Sequence, residues 1–149
     1  MVIRRQPLAP RRPNRLKGHD YSQNGAYFIT VCVKGRAEIL WEPVGVDCVR
    51  PGQPVPLSDI GKIIDREIGR IRSVYPNVAA EKYCVMPNHI HMILLIFNGE
   101  NGRTQFAPTI SRVVKQWKGS ITKQIGVSIW QKSFHDHIIR NEREYQKIW

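Results

Sequence analysis

Tyr83-Cys-Val-Met-Pro-Asn-His-Ile-His-Met-Ile-Leu-Leu-Ile-Phe97 is the stretch from which the fold can be read. Two strand-like apolar runs flank the break at Met86-Pro87-Asn88, and the second opens with His89-Ile90-His91. So short a break predicts an antiparallel hairpin. Successive side chains of a strand point to opposite faces, so His89 and His91 share one face, about 6.5–7 Å apart along the chain. Two imidazoles on one rigid face can hold a divalent cation if a third ligand comes from elsewhere. A bare His-x-His also recurs by chance. On the motif alone the plainer reading is favoured, two polar residues at the mouth of a strand.

Working outward, Leu57, Ile60, Ile63, Ile64, Ile68, Ile71 and Val74 recur at spacings of three and four. That predicts an amphipathic helix over 57–75, with Ser58 as N-cap and Pro76 as stop. The strand Val78–Val85 follows it, then the His strand to Phe97. The last is apolar at nearly every position after His91, as in a central strand covered on both faces. Upstream, Ala26-Tyr-Phe-Ile-Thr-Val-Cys-Val33 is rich in aromatic and β-branched residues and reads as the first strand. The Pro- and Gly-rich segment 37–56 forbids a long regular element. A short hairpin pairing 39–41 with 46–49 fits there, as an insertion rather than a domain boundary.

Downstream, Asn98 to Arg103 is a loop. A second helix spans Pro108 to Gln124, with Ile110, Val113, Val114, Trp117 and Ile121 on one side and Arg112, Lys115, Lys118 and Lys123 on its exposed surface. Val127 to Arg140 is a fourth extended stretch that places His135 and His137 on one face, with Asp136 between them. Asn141-Glu-Arg-Glu144 then starts a helix as a capping box, Asn141 capping and Glu144 reaching back. The order β-α-β-β-α-β is that of an α+β ferredoxin-like sandwich. Right-handed crossovers set the sheet order 4-1-3-2, with both long helices on one face and the His89/His91 strand at the centre.

At 149 residues the chain suits one domain, 21–149, behind a basic N-terminal arm, 1–20. The formal net charge of +11 and a sequence pI near 10.0 call for a polyanionic partner, of which nucleic acid is the commonest. Arg11, Arg12, Arg15 and Lys17 of the arm, the α-helical cations Arg112, Lys115, Lys118 and Lys123, and Arg140 are the candidate phosphate contacts. The arm reads equally as a solvated terminus. No apolar run reaches the length of a spanning helix and no signal-peptide core is present, so a cytoplasmic protein is expected, with no membrane partner. Cys32, Cys48 and Cys84 are widely spaced and form no Cys-x-x-Cys pair, which argues against a disulfide framework or a structural zinc site.

Met86-Pro-Asn-His-Ile-His91, preceded by Gly25-Ala-Tyr-Phe-Ile-Thr30 and followed by Trp130-Gln-Lys-Ser-Phe-His-Asp-His-Ile-Ile-Arg-Asn-Glu142, resembles the IS200-like transposases. Within them it is most similar to the REP-associated tyrosine transposases, which are single-strand nucleases of the His-hydrophobe-His type. The resemblance runs from about Asn14 to the last residue in the family's order. It implies that His89 and His91 bind Mg²⁺ or Mn²⁺ at a scissile phosphate, and that the partner is single-stranded or hairpin DNA. It also implies cleavage and strand transfer by a tyrosine that forms a 5′-phosphotyrosine. That tyrosine is expected just past Trp149, so no catalytic residue is assigned within the chain. Tyr145 falls about six positions early, which rotates it roughly 240° around a helix, and it reads as packing. The alternative is a relative that grips hairpin or single-stranded DNA without cleaving it. An RNA-binding ferredoxin-like domain is weaker still, because the strands carry no RNP-type aromatic motif.

Overall fold

The computed structural model describes residues 16–43, 53–97 and 108–149. Arg11, Arg12 and Arg15, the 46–49 half of the expected hairpin, Cys48 and the loop 98–103 lie outside them. Four strands, β1 (Gly25–Cys32), β2 (Val78–Val85), β3 (His89–Ile96) and β4 (His135–Ile139), form one antiparallel sheet in the order β2-β3-β1-β4. This is the expected sandwich topology, with β3 internal.

Alternation along β1 assigns the faces. Tyr27, Ile29 and Val31 are buried, while Ala26, Phe28, Thr30 and Cys32 are half-buried. The first set joins Ile90, Met92 and Leu94 of β3 in a core closed by Ile64 and Ile68 of α1 (Asp59–Gly69) and by Val113, Trp117 and Ile121 of α3 (Ile110–Ile125). The core therefore lies on one side of the sheet. The second set faces the opposite, open side, together with His89 and His91.

Local chemistry sets the helix ends. Ser58 Oγ accepts from Gly61 N (3.1 Å) and itself donates to Ile39 O (2.7 Å), which ties the start of α1 to the preceding loop. The single helix expected over 57–75 is divided. It begins at Asp59, since Leu57 bridges Trp41 instead, and it breaks at Arg70 before α2 (Ile71–Val74). Gly69 weakens the helix at that point, by about 1 kcal/mol relative to alanine. The break turns Ile71 into the core. At α3, Thr109 Oγ1 caps Arg112 N, and Gly126 at φ 88° ends the helix by donating to Thr122 O. The fourth extended stretch is also shorter than expected. Trp130 makes an isolated bridge to Val33, the chain bends through Ser133 at φ 65°, and only His135–Ile139 is regular strand.

Among the described residues Glu67 is the one buried acidic side chain, and Ser120 Oγ and Arg70 Nη1 each donate to it at 2.9 Å. Burial pushes its carboxyl up, but hydrogen bonds from Gln124, Ser120 and Arg70 outweigh that and hold it below its ordinary 4.5. A lowered folded-state pKa contributes stability that is present above the unfolded value and is lost as pH falls through the folded one. The melting temperature is therefore expected to fall on acidification below about pH 4.5, less steeply in Glu67→Gln. Equal acid sensitivity of the two proteins, followed by circular dichroism, would contradict this role.

Candidate metal centre

The turn before β3 is anchored on both sides. Asn88 O accepts from Val33 N (3.0 Å), Pro87 O from Leu40 N (3.0 Å), and Met86 N donates to His89 O (2.8 Å). These bonds fix where β3 starts, and so where His89 and His91 stand. Their rings meet edge to face with centroids 4.6 Å apart, and the two Nε2 atoms are 3.1 Å apart. Each Nδ1 has its own oxygen partner: Asn88 Oδ1 for His89 (2.7 Å) and Thr30 Oγ1 for His91 (2.9 Å). His91 also stacks on Phe28, 5.2 Å between ring centres.

An imidazole whose Nδ1–H is donated carries its lone pair on Nε2. His89 Nδ1 donates to Asn88 Oδ1, so its Nε2 carries the lone pair. Thr30 Oγ1 can donate or accept, so His91 Nε2 either donates to His89 Nε2 across the 3.1 Å or, in its other tautomer, presents a second lone pair to a shared cation. Ligands at about 2.1 Å from a metal and at right angles to one another are separated by about 3 Å, which matches the pair. Desolvation, followed by the Arg36 cation for His89 and by the neighbouring imidazole for His91, lowers both pKa values. The rings are thereby kept in the neutral form that metal ligation requires. Among the described residues no group of three His, Cys, Asp or Glu side chains is placed to hold a metal, so a cation at the pair would take two ligands from it.

The pair sits in a cleft of about 200 Å³ lined also by Thr30, Cys32, Arg36, Asn88, Gln131 and His135. His135 pairs with Thr30 in the β1–β4 register and so shares the open face, two strand spacings (about 9.5 Å) from β3. Asp136 pairs with Ile29 and belongs to the core side. His137 is held by Glu144 of α4 (Glu142–Ile148), whose other carboxylate oxygen accepts from Arg140 N (2.8 Å). Asn141 Oδ1 caps Glu144 N (2.9 Å) as expected, but Glu144 reaches back to Arg140 N instead of the cap residue. The His137 imidazole draws the carboxylate one residue further.

The other sequence candidates are scattered. Lys115 and Lys118 line a groove beside Gln131, Lys123 is exposed further along α3, and Arg112 lies beside Tyr75 in the helix layer. Lys17 is exposed, and Arg140 lies at the α4 end of the open face. The segment just before β1 is tied to the domain, with Tyr21 O accepting from Ile110 N (3.2 Å). Sequence reasoning singled out neither Arg36 nor Gln131, because nothing local marks residues that meet a site only through tertiary pairing. Tyr145 lies with Ala26 and Leu95, four residues or about 13 Å along β3 from His91. The Lys82 ammonium stands 5.1 Å from its ring centre and 6.0 Å from that of Trp149. Desolvation and then Glu81 raise the Tyr145 phenol's pKa, the wrong direction for a nucleophile.

No family model matches the chain. The structure of a REP-associated tyrosine transposase bound to a REP hairpin superposes with a TM-score of 0.63 at 20% identity, over 90% of this chain and 67% of that one. An uncharacterised protein of Haemophilus influenzae is 28% identical over 93% of this chain and 84% of its own length. A second protein of that organism, named "Putative REP-associated tyrosine transposase", is 22% identical over 84% of this chain. The chain spans 66% of that relative's length. The resemblance read from the motifs thus extends to the whole fold, which is the fold of a REP-associated tyrosine transposase.

Proposed function

We propose that this chain, with the fold of the REP-associated tyrosine transposases, is a transposase-type domain. In this reading it binds hairpin-forming, single-stranded DNA and presents a phosphate to a divalent cation, Mg²⁺ or Mn²⁺, held by His89 and His91. The observation that carries the reading is the 3.1 Å separation of two Nε2 atoms on one rigid, half-buried strand face, with an oxygen partner at each Nδ1. A cation there would draw charge from the phosphate oxygens and so ease attack on phosphorus. The protein's own residues orient the site. Asn88 and Thr30 fix the two rings, the sheet holds them rigid, and Arg36 at the cleft rim offers a permanent positive charge to the phosphate.

The neighbour bound to a REP hairpin and the net charge of +11 support the DNA reading. A second reading, hairpin binding without strand cleavage, is favoured by one observation. None of the five tyrosines lines the His cleft. Attack by a phenol requires its oxygen at the phosphorus, and four residues of strand separate Tyr145 from His91.

Anisotropy titrations test the reading. The chain is expected to bind a hairpin oligonucleotide in preference to duplex of equal length, with affinity falling steeply as salt rises. Equal affinity for both would reduce the binding to generic basicity. Tyr145→Phe is expected to leave hairpin and Mn²⁺ binding unchanged and to abolish no activity. A denaturant-resistant protein–DNA adduct formed by the chain and lost in Tyr145→Phe would instead make Tyr145 the nucleophile.

A further inference from the structure

We propose that the cavity between α1, α2 and α3 is a binding site for a small monocarboxylic acid with a ring-sized apolar body. It lies in the helix layer, across the sheet from His89 and His91, and is independent of the DNA reading.

The helix break creates the space. Arg70 ends α1, and the single turn of α2 brings Ile71 into the core before Tyr75 leaves the helix in an extended conformation. A cavity of about 120 Å³ is left against α3, with Ile71, Val74 and the Trp117 ring as its apolar wall. Val74 is 57% exposed, so the cavity has its mouth at α2. An apolar cavity of about 150 Å³ accepts benzene, and the space here is of the size of one such ring.

The polar groups of the wall fall into two sets. Glu67 is committed, because Arg70 Nη1 and Ser120 Oγ each donate to it at 2.9 Å and the Arg70 charge matches its own. The other set consists of donors. Three buried side-chain polar atoms among the described residues have no hydrogen-bond partner, and two of them, Trp117 Nε1 and Tyr75 Oη, belong to residues of this wall. Trp117 is 5% exposed, and an indole N–H can only donate. The protein gives its other packed indoles a backbone carbonyl: Val85 O for Trp41 (2.8 Å) and Lys118 O for Trp130 (3.3 Å). A buried donor left unpaired is costly, and an acceptor carried into the cavity recovers its bond. Arg112 lies beside Tyr75 and pairs with no carboxylate among the described residues. An N–H, an O–H and a guanidinium thus stand uncommitted around one ring-sized apolar space. A carboxylate complements the donors, and a ring attached to it fills the wall of Ile71, Val74 and Trp117. A bare phosphate would leave that wall empty.

Benzoate is the probe. Titrated into ¹⁵N-labelled protein, it is expected to move the Trp117 indole N–H signal saturably, with a Kd of about 1 mM, ordinary for so small a ligand. The indole signals of Trp41, bound to Val85 O, and Trp149, over Lys82, are expected to stay in place. Benzamide has the shape without the charge and inorganic phosphate the charge without the ring, and each is expected to bind at least tenfold more weakly. Arg112 is exposed, so Arg112→Gln is expected to fold as the parent does, to weaken benzoate about tenfold and to leave benzamide unchanged. A Trp117 signal that benzoate does not move overturns the proposal, as do equal shifts at all the indoles. Benzamide or phosphate binding as tightly as benzoate overturns it too, as does unchanged benzoate affinity in Arg112→Gln. Hairpin binding is not read in this titration, so each of these outcomes leaves the DNA reading where it stands.

Discussion

On the proposed metal reading, Mn²⁺ is expected to stabilise the protein, and His89→Ala/His91→Ala is expected to eliminate that stabilisation. A ligand that binds only the folded state stabilises it by about 2.7 kcal/mol at a hundredfold excess over Kd, which for a domain of this size raises Tm by roughly 5–11 °C. The double variant is expected to show no such rise. Its metal-free stability should remain close to the parent's, because both imidazoles lie on the open face, away from the core of Ile90, Met92 and Leu94. Calorimetric titration showing unchanged Mn²⁺ affinity in the double variant would remove the site. Thr30→Ala and Asn88→Ala each free one ring from its Nδ1 partner, and a 10–100-fold loss of metal affinity is expected from either.

Among the described glycines, Gly61→Ala is expected to be the most damaging alanine substitution. A Cβ at Gly61 would lie 2.1 Å from Leu40 O, which also accepts from Ser58 N, so a backbone carbonyl would have to move together with the start of α1. Forcing volume into such a contact costs about 3 kcal/mol or more. That lowers Tm by at least about 6 °C for a domain of this size. Gly119→Ala is the control, since nothing lies within 4 Å of where its methyl group would stand and the gain in helix propensity is about 0.5–1 kcal/mol. Thermal melts should therefore move in opposite directions. A Gly61→Ala protein as stable as the parent would show that the α1–Leu40 contact yields without cost.

What the sequence determined by itself was set by local periodicity and by the rules for connecting elements. Alternation in 26–33 and 78–97, the three-and-four spacing in 57–75 and 108–124, and the short Met86-Pro87-Asn88 break carried the element order. Handed crossovers then dictated the sheet order, and with it the internal place of β3. That His89 and His91 share a face follows from the two-residue period of a strand. Tertiary structure decided everything that depends on register and on side chains distant in sequence. Thr30 faces His91 only because β1 pairs with β3 at that offset, and Gln131 reaches the cleft because its backbone N–H is bound to Cys32 O. The break at Arg70 and the bend at Ser133 could not be read from periodicity, because core packing and the Lys118 ammonium set them. The position of Tyr145 over Lys82 was likewise fixed by where α4 crosses the sheet, through the His137–Glu144 contact. A pattern of one or two turns records which face of an element is buried. Which residue of another element lies opposite is set by the packing of the whole chain.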